Sequence, residues 1–334
     1  MIVTEPVCAQ LADRPMAHCS TLAVLPDGSL LAAWFSAAFE TSRDQAILAA
    51  RKSRHGEWSS PWIIASAPDY AVGQPVFLPR PNGELWLFFV VIADPEPPPA
   101  DPEFDMLAPS TAWNSAQPYL QRSYDWGVSW DEPEHLLDYP GLMFRSRPLV
   151  LPGRIVVPVY DERTWYSMML ISDDDGRSWW LTEPIVSSPG NIHACLAPLS
   201  DGRLLAYMRT GGKGGHIWRS ESTDQGASWT RPQPTALPNP NSGIDLLRLQ
   251  SGRLLLAFNN NSTARTPLCV ALAEKGEVWQ WQQTLEDEEA EFSYPTLLQT
   301  DDGLIHLVYT YRREHIHYAC FTETWLRKAK INVS

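Results

Sequence analysis

Eight residues, Ser172-Asp173-Asp174-Asp175-Gly176-Arg177-Ser178-Trp179, carry a pattern that recurs along the chain: Ser-x-Asp-x-Gly-x-x-Trp. Two further full copies run from Ser123 to Trp130 and from Ser222 to Trp229. Each part has a physical job in a tight turn between two strands. The Asp accepts hydrogen bonds from turn amides, and the Gly takes a positive φ. The Trp covers the turn with a large apolar face. Three full copies at a repeat-like spacing predict a repeat architecture.

A second signal lies between these turns: an apolar run, a Gly-bearing turn, and another apolar run. The turn glycines are Gly28, Gly83, Gly153, Gly202, Gly252 and Gly303. Turn residues between short apolar runs mark β-hairpins, so six hairpins are expected. Arg51 to Trp58 and Glu274 to Trp279 read as decayed Trp turns. The repeating unit is therefore hairpin, third strand, Trp turn, fourth strand. Six such four-stranded units predict an all-β, six-bladed β-propeller spanning residues 1–334 as a single domain. The ring must close. Thr4-Glu5-Pro6-Val7-Cys8 resembles the fourth-strand segment Thr182-Glu183-Pro184-Ile185-Val186. The N-terminal strand is thus expected to complete the sixth blade against Ile316 to Phe321, which protects a sheet edge. The second blade is longest. Its excess, residues 94–116, opens with a proline-rich run that cannot form a helix or an inner strand, and it reads as a surface insertion. Helix is expected only as a turn or two near Trp325 to Lys330.

Composition narrows the partners. Fifteen Trp and 44% hydrophobic residues indicate an aromatic-rich globular chain, and the formal net charge of −13 argues against nucleic acid held by counterion release. The five scattered cysteines lack a CxxC spacing and read as buried free thiols. The N-terminus lacks a basic, then apolar, leader pattern. No apolar run reaches the ~20 residues of a membrane span. A soluble, cytoplasmic setting is the expectation. No Cys/His spacing suggests zinc, and Thr210 to Gly215 lacks P-loop spacing. Neither metal nor cofactor is expected. Asp173 to Asp175 belong to a structural turn, and Glu286 to Glu289 read as a solvated charge run.

In a propeller the inner strands start near one mouth of the central channel, and the loops between second and third strands reach the same mouth. Inner-strand starts hold His18, Gln74, Arg147, His193, Asn241, Asp245 and Tyr294. Second-to-third connections hold Glu40, Asp44, Asp161, Glu162, Arg163, Arg209, Asn259, Arg265, Tyr309 and Arg312. Several arginines converging on one pocket suit an anionic substrate, because guanidinium forks pair with carboxylates.

The Trp turns resemble the Asp-boxes of sialidases, the bacterial BNR-repeat proteins also called neuraminidases, and six such blades resemble the sialidase fold over nearly the whole chain. That resemblance implies residue roles. Sialidases hold the substrate carboxylate with three arginines; Arg209 and Arg265 match the second and third. The tyrosine nucleophile opens the last inner strand, where Tyr294 stands. The general acid is an aspartate in the first blade's loop, matched by Asp44, with Glu40 close behind. Three departures mark a divergent branch. His18 stands near the place of the first arginine, Thr310 stands where its bracing glutamate would be, and His193 stands closest to the glutamate that would activate the tyrosine.

The resemblance therefore implies a sialidase-like exo-glycosidase cleaving a terminal acidic, sialic- or ulosonic-acid-like sugar from a glycan. Asp44 would act as acid, Tyr294 as nucleophile and His193 as base. His18, Arg147, Arg209, Arg265, Arg312, Asn241 and Asp245 are the substrate-binding candidates. Two alternatives stay open. One is a polysaccharide lyase using a His193–Tyr294 pair on uronic acid chains. The other is a non-catalytic carbohydrate-binding propeller. Nothing in the sequence specifies an oligomeric state.

Overall fold

The computed structural model describes residues 2–54, 56–96 and 110–331. Six antiparallel sheets follow one another along the chain. The first blade is Met16–Val24, Leu30–Ala37, Ala46–Lys52 and Trp62–Ala65. The second is Ala71–Pro79, Leu85–Ile92, Ala116–Ser123 and Glu134–His135. In the third the inner strand is split into Leu142–Phe144 and Leu149–Leu151, followed by Arg154–Asp161, Tyr166–Ser172 and Trp180–Leu181. The fourth is Asn191–Pro198, Leu204–Thr210, His216–Ser222 and Gln233–Pro238. The fifth is Asp245–Arg248, Leu254–Asn259, Leu268–Ala273 and Trp279–Glu286. The sixth is Phe292–Gln299, Ile305–Tyr311 and His315–Phe321, completed by Ile2–Pro6. The N-terminal strand pairs with register Thr4 to Ala319, and Val7 N–H donates to Ile316 O at 2.8 Å. The expected closure of the propeller is what is found. One helical turn, Glu323–Leu326, follows the last strand, capped by the Thr322 side chain.

Second strands are buried on both faces, because each sheet is packed between two neighbours. All eight residues of Leu30–Ala37 and all six of Leu254–Asn259 are buried. This is why they read as continuous apolar runs rather than an alternating pattern. The core is a set of inter-blade layers. Val156, Met169, Leu196 and Ala206 fill the gap between third and fourth blades, and Leu22, Trp34, Val308 and Ile316 fill the gap between sixth and first. Each fully buried Leu or Phe in such a layer contributes roughly 1.5–3 kcal/mol.

The three Trp turns share one hydrogen-bond design. In the second, Ser172 Oγ donates to Asp174 Oδ1 at 2.9 Å and accepts from Gly176 N–H at 2.7 Å. Asp174 Oδ1 accepts from Ser178 N–H at 2.9 Å. Gly176 has φ +83°, as the turn requires. Trp179 meets Phe88 of the preceding blade edge-on at 5.7 Å. These turns therefore lock a blade to itself and to its neighbour. Asp173 to Asp175 take part in turn and inter-blade contacts, as the sequence indicates.

The feature that positions the site is a bulge repeated in four inner strands. Register shifts fall between His18 and Thr21, Gly73 and Val76, Ile192 and Cys195, and Ser293 and Thr296. At each, two residues oppose one, and a non-glycine residue takes left-handed φ: Cys19 (56°), Gln74 (56°), His193 (56°) and Tyr294 (54°). Such a conformation costs on the order of 1–3 kcal/mol and persists only where the surroundings hold it. A bulge re-aims side chains; at three of the four sites, Gln74, His193 and Tyr294, it delivers them to one pocket.

Candidate active site

That pocket has a volume of about 160 Å³. Tyr294 is its hub and is only 7% exposed. Arg209 is the penultimate residue of the second strand of the fourth blade, and its Nη1 donates to the Tyr294 hydroxyl at 2.8 Å. The Arg209 Nε donates to Asn241 Oδ1 at 2.7 Å. Asn241 also offers its backbone carbonyl to Arg265 Nη2 at 3.2 Å. One loop residue, itself at φ 59°, thus sets the spacing of two guanidinium groups. Gly243 leaves room for this: a Cβ there would lie 3.3 Å from Tyr294 Cγ and 3.5 Å from His193 Nδ1.

A third guanidinium enters from the sixth blade. Arg312, Arg313 and Glu314 connect Ile305–Tyr311 to His315–Phe321; Glu314 N–H donates to Tyr311 O at 3.0 Å, and the two central residues of that turn, Arg312 and Arg313, both have positive φ (54° and 58°), the geometry of a tight hairpin. Arg313 turns inward and lines the pocket, with its carbonyl accepting from Ala17 N–H at 2.8 Å. It therefore sits directly beside His18. Arg313 pairs with Glu40 and with Glu291, the latter at 3.0 Å, while Arg265 holds the other Glu291 oxygen at 2.7 Å. Burial pushes the Glu291 carboxyl up, but Arg265 and Arg313 outweigh it and hold it at about 2. The Arg209, Arg265 and Arg145 guanidinium carbons lie 5.8, 5.6 and 5.3 Å from the Tyr294 ring centre. Arg145 sits on the channel side beneath the pocket, donating to Pro295 O at 2.7 Å and Thr296 Oγ1 at 3.2 Å.

Two carboxyl groups line the pocket, Glu40 and Glu162. Glu40 is engaged by Arg313. Glu162 follows the second strand of the third blade. Burial raises its carboxyl to about 7, Arg209 pulls the other way, and Glu40 and Asp161 add to the rise.

The sequence candidates divide on this geometry. Tyr294, His193, Glu40, Arg209, Arg265 and Asn241 line one pocket. His18 lies behind it. Its ring centre is 4.2 Å from that of Tyr294, its Nδ1 meets Thr310 Oγ1 at 2.9 Å, and it is 1% exposed. The structure thus places it as a wall of the site, and burial and the Arg313 and Arg265 charges push its pKa well below the histidine range. Asp44 turns away. It accepts from Ala38 N–H at 3.0 Å, is held by Ser42 and lies 3.7 Å from Arg14. Arg147 is not at a strand start but within the split of the inner strand, between Phe144 and Leu149, and it bonds the Leu297 and Leu246 carbonyls. Asp245 accepts from Leu297 N–H at 2.7 Å and stands 3.9 Å from Arg147. These two tie blades together toward the other end of the channel. Arg312 pairs with Glu288 at the surface.

Sequence reasoning did not single out Arg313, Arg145, Glu291 or Trp165, and it left Glu162 in the wider pool. The signal for Arg313 was its adjacency to Arg312. Among the described residues, no group of His, Cys, Asp and Glu is arranged to hold a metal ion. Of the long insertion, Ser110 and Trp113 line the pocket, whereas residues 97–109 lie outside the described residues.

A family model described as a BNR repeat-like domain matches residues 28–307. The chain belongs to that family. The BNR-repeat chain is 24% identical to a sialidase of Micromonospora viridifaciens over 337 residues, covering 91% of this chain and 51% of that protein. It is 24% identical to an anhydrosialidase of Macrobdella decora over 60% of this chain and 31% of that protein. It therefore spans about half or less of the length of these relatives. Among solved structures, a Dyadobacter fermentans protein of unknown function aligns with TM-score 0.78 at 18% identity, covering 96% of this chain and 98% of that one. The Hadza microbial sialidase Hz136 aligns with TM-score 0.78 at 19% identity, over 97% and 69%. The leech intramolecular trans-sialidase aligns with TM-score 0.77 at 14% identity, over 97% and 71%. The chain is a divergent member of the sialidase and BNR-repeat family, with the six-bladed fold of that family.

Proposed function

We propose that this propeller is a sialidase-like exo-glycosidase that hydrolyses a terminal acidic sugar whose anomeric carbon bears the carboxylate. The observation that carries the reading is that Arg209, Arg265 and Arg313 line one pocket with Tyr294, Arg209 donating to its hydroxyl. Planar guanidinium groups hold a carboxylate by paired hydrogen bonds. Asn241 and Glu291 fix the arginines before any ligand arrives, which lowers the ordering cost of binding. With the sugar carboxylate on the arginines, Tyr294 sits below the anomeric carbon as nucleophile. A neutral phenol avoids the repulsion that a carboxylate nucleophile would meet there, and sialidases depart from the paired-carboxylate rule in this way.

The lyase reading needs His193 as an effective base. Its Nδ1 faces Arg209 Nη1 at 3.4 Å, and burial with the Arg209, Arg145 and Arg265 charges drives its pKa well below the histidine range. An imidazole in that setting is a weak proton acceptor, which counts against elimination and equally against His193 as the base that takes the Tyr294 proton in hydrolysis.

The test uses the 4-nitrophenyl glycosides of N-acetylneuraminic acid and of 3-deoxy-oct-2-ulosonic acid. Wild-type protein is expected to release nitrophenol from at least one. Tyr294→Phe should cut turnover by at least about 10³-fold, as loss of a covalent nucleophile does, while the free acidic sugar still raises the melting temperature. Melting shifts without turnover would favour a binding propeller, and an unsaturated product absorbing in the near ultraviolet would favour a lyase.

A further inference from the structure

We infer that Glu162, and not Asp44, is the residue that protonates the leaving oxygen. This assignment rests on the glycosidase reading above and adds the group that reading lacks.

Most acidic side chains near the site are already engaged. The Asp44 carboxylate accepts from the Ala38 amide and the Ser42 hydroxyl and stands beside Arg14, outside the pocket. Glu40 lines the pocket but is paired with Arg313. Glu291 is shared between Arg265 and Arg313, so its charged form is strongly favoured. The Glu291 carboxylate, held by two guanidinium groups, has no proton to give, and Glu40 is turned to its arginine. Asp161 is bonded by Arg163 and by the Tyr139 hydroxyl. Glu162 differs from all of these. It lines the pocket, and its carboxyl makes no hydrogen bond or ion pair among the described residues.

Its position is also distinct. The backbone N–H of Glu162 donates to Gly141 O at 2.9 Å, which anchors the residue at the start of the connection after Arg154–Asp161. In a six-membered ring the third blade stands across the channel from the sixth, the blade that supplies Arg313 and Tyr294. A sugar with its carboxylate on Arg265 and Arg313 and its anomeric carbon over Tyr294 presents its other side toward Glu162. The charged groups that act on Glu162 are Arg209, Glu40 and Asp161. Arg265, Arg313, His193 and Tyr294 share the same cavity. A partly buried carboxyl with no partner holds its proton well above the ordinary carboxylate range, up to about pH 7 here, which is the poise a general acid needs.

The step balances as follows. The Tyr294 oxygen forms a bond to the anomeric carbon, and its phenolic proton passes to solvent at the pocket mouth. The bond to the leaving oxygen breaks with its electron pair on that oxygen, which takes the proton of Glu162. In the second half, water attacks the anomeric carbon and gives a proton to the Glu162 carboxylate. Tyr294 leaves with the bonding pair and recovers a proton from solvent.

The experiment compares wild type and Glu162→Gln on a matched pair, the 4-nitrophenyl and methyl glycosides of the same acidic sugar, with kcat/KM followed across pH. Nitrophenolate leaves without a proton; an alkoxide does not. Glu162→Gln is expected to lose about 10²–10⁴-fold on the methyl glycoside, to lose far less on the nitrophenyl glycoside, and to lose the alkaline limb of the pH profile. Glu162→Asp, which keeps the acid on a shorter arm, should retain that limb at reduced rate, so a fall caused by misfolding is told apart. Equal losses on both substrates, or a leaving-group-dependent loss in Asp44→Asn instead, overturn the assignment. Absence of wild-type turnover on either substrate overturns the glycosidase reading itself.

Discussion

Single residues in the pocket are held by opposing effects of similar size, and their balance sets how the protein responds to pH. Glu291 is held below its ordinary value, because Arg265 and Arg313 outweigh its desolvation. Its folded pKa of about 2 lies below the ordinary 4.5, so the stability it contributes is present above about pH 4.5 and is lost as pH falls toward 2. Glu162 runs the other way. Its folded pKa of about 7 lies above 4.5, so its contribution is full below 4.5 and fades as pH rises through 7. His18 and His193 oppose this at the acid end: each is held neutral well below the ordinary 6.5, so their contribution is full only above about pH 6.5 and falls as pH drops, which moves the pocket's best stability up from the value the two carboxyls alone would set. Glu291→Gln should therefore lower the melting temperature markedly at pH 6, where two buried guanidinium groups lose their shared partner, on the order of 3 kcal/mol. The gap to wild type should narrow as pH falls below about 4.5 and close only near pH 2, where Glu291 itself becomes neutral in the folded protein. A gap that does not change with pH would contradict the ion-pair role. The same residue scale explains what the sequence could not resolve. Arg312 and Arg313 are adjacent, yet one faces Glu288 at the surface and the other faces the pocket. Neighbouring positions in a tight turn point to opposite sides, and no local pattern says which is which.

At the scale of the element, the Trp turn was the most legible part of the chain. Its hydrogen bonds connect residues two to four apart, so the motif contains its own structure. Asp174 shows this: hydrogen bonds from the Ser178 side chain and amide hold its carboxyl at about 2. The glycines of these turns do a second job that the motif does not announce. A Cβ on Gly176 would lie 2.3 Å from Trp86 Cη2, whereas one on Gly153, also at positive φ, would meet nothing within 4 Å. Gly153→Ala should cost only the left-handed backbone strain, roughly 1–2 kcal/mol. Gly176→Ala should cost that and also disturb the packing of Trp86, with a clearly larger fall in melting temperature. Equal falls would mean that Trp86 moves freely and that the turn is not locked to its neighbour. The inner-strand bulges were not legible in this way. His193 and Tyr294 were placed at strand starts by blade equivalence, but the positive φ that aims them depends on pairing with a strand more than a dozen residues away.

For the whole molecule, the decisive device is closure of the ring by Ile2–Pro6 on His315–Phe321. Val7 is buried in the layer between sixth and first blades, beside Val308 and Ile316. Deleting residues 1–7 should expose an unpaired strand edge and open that layer. A substantial fall in melting temperature and concentration-dependent self-association are expected, measurable by calorimetry and light scattering. A truncated protein that melts like the full chain and stays monodisperse would contradict the closure role. Closure also bears on the site. Arg313 leaves the sixth blade beside the first, and its carbonyl is tied to Ala17. Opening that seam should therefore weaken the pocket as well as the fold.

The blade count, the Trp turns and the N-terminal closure were determined by the sequence itself. They rest on short-range hydrogen bonds and on apolar runs long enough to be recognised alone. The direction of each charged side chain was decided only by the tertiary structure. Asp44 and Glu40 lie four residues apart on one loop, but only Glu40 meets Arg313 across the seam between blades. Arg145 and Arg147 both lie in the one break of the third blade's inner strand; Arg145 packs against the Tyr294 ring, and Arg147 ties down Leu297 and Leu246. Whether Glu162 keeps a free carboxyl depends on which partners its neighbours have already taken. A charge in a channel is assigned by competition among residues from several blades, and that competition exists only once the ring has closed.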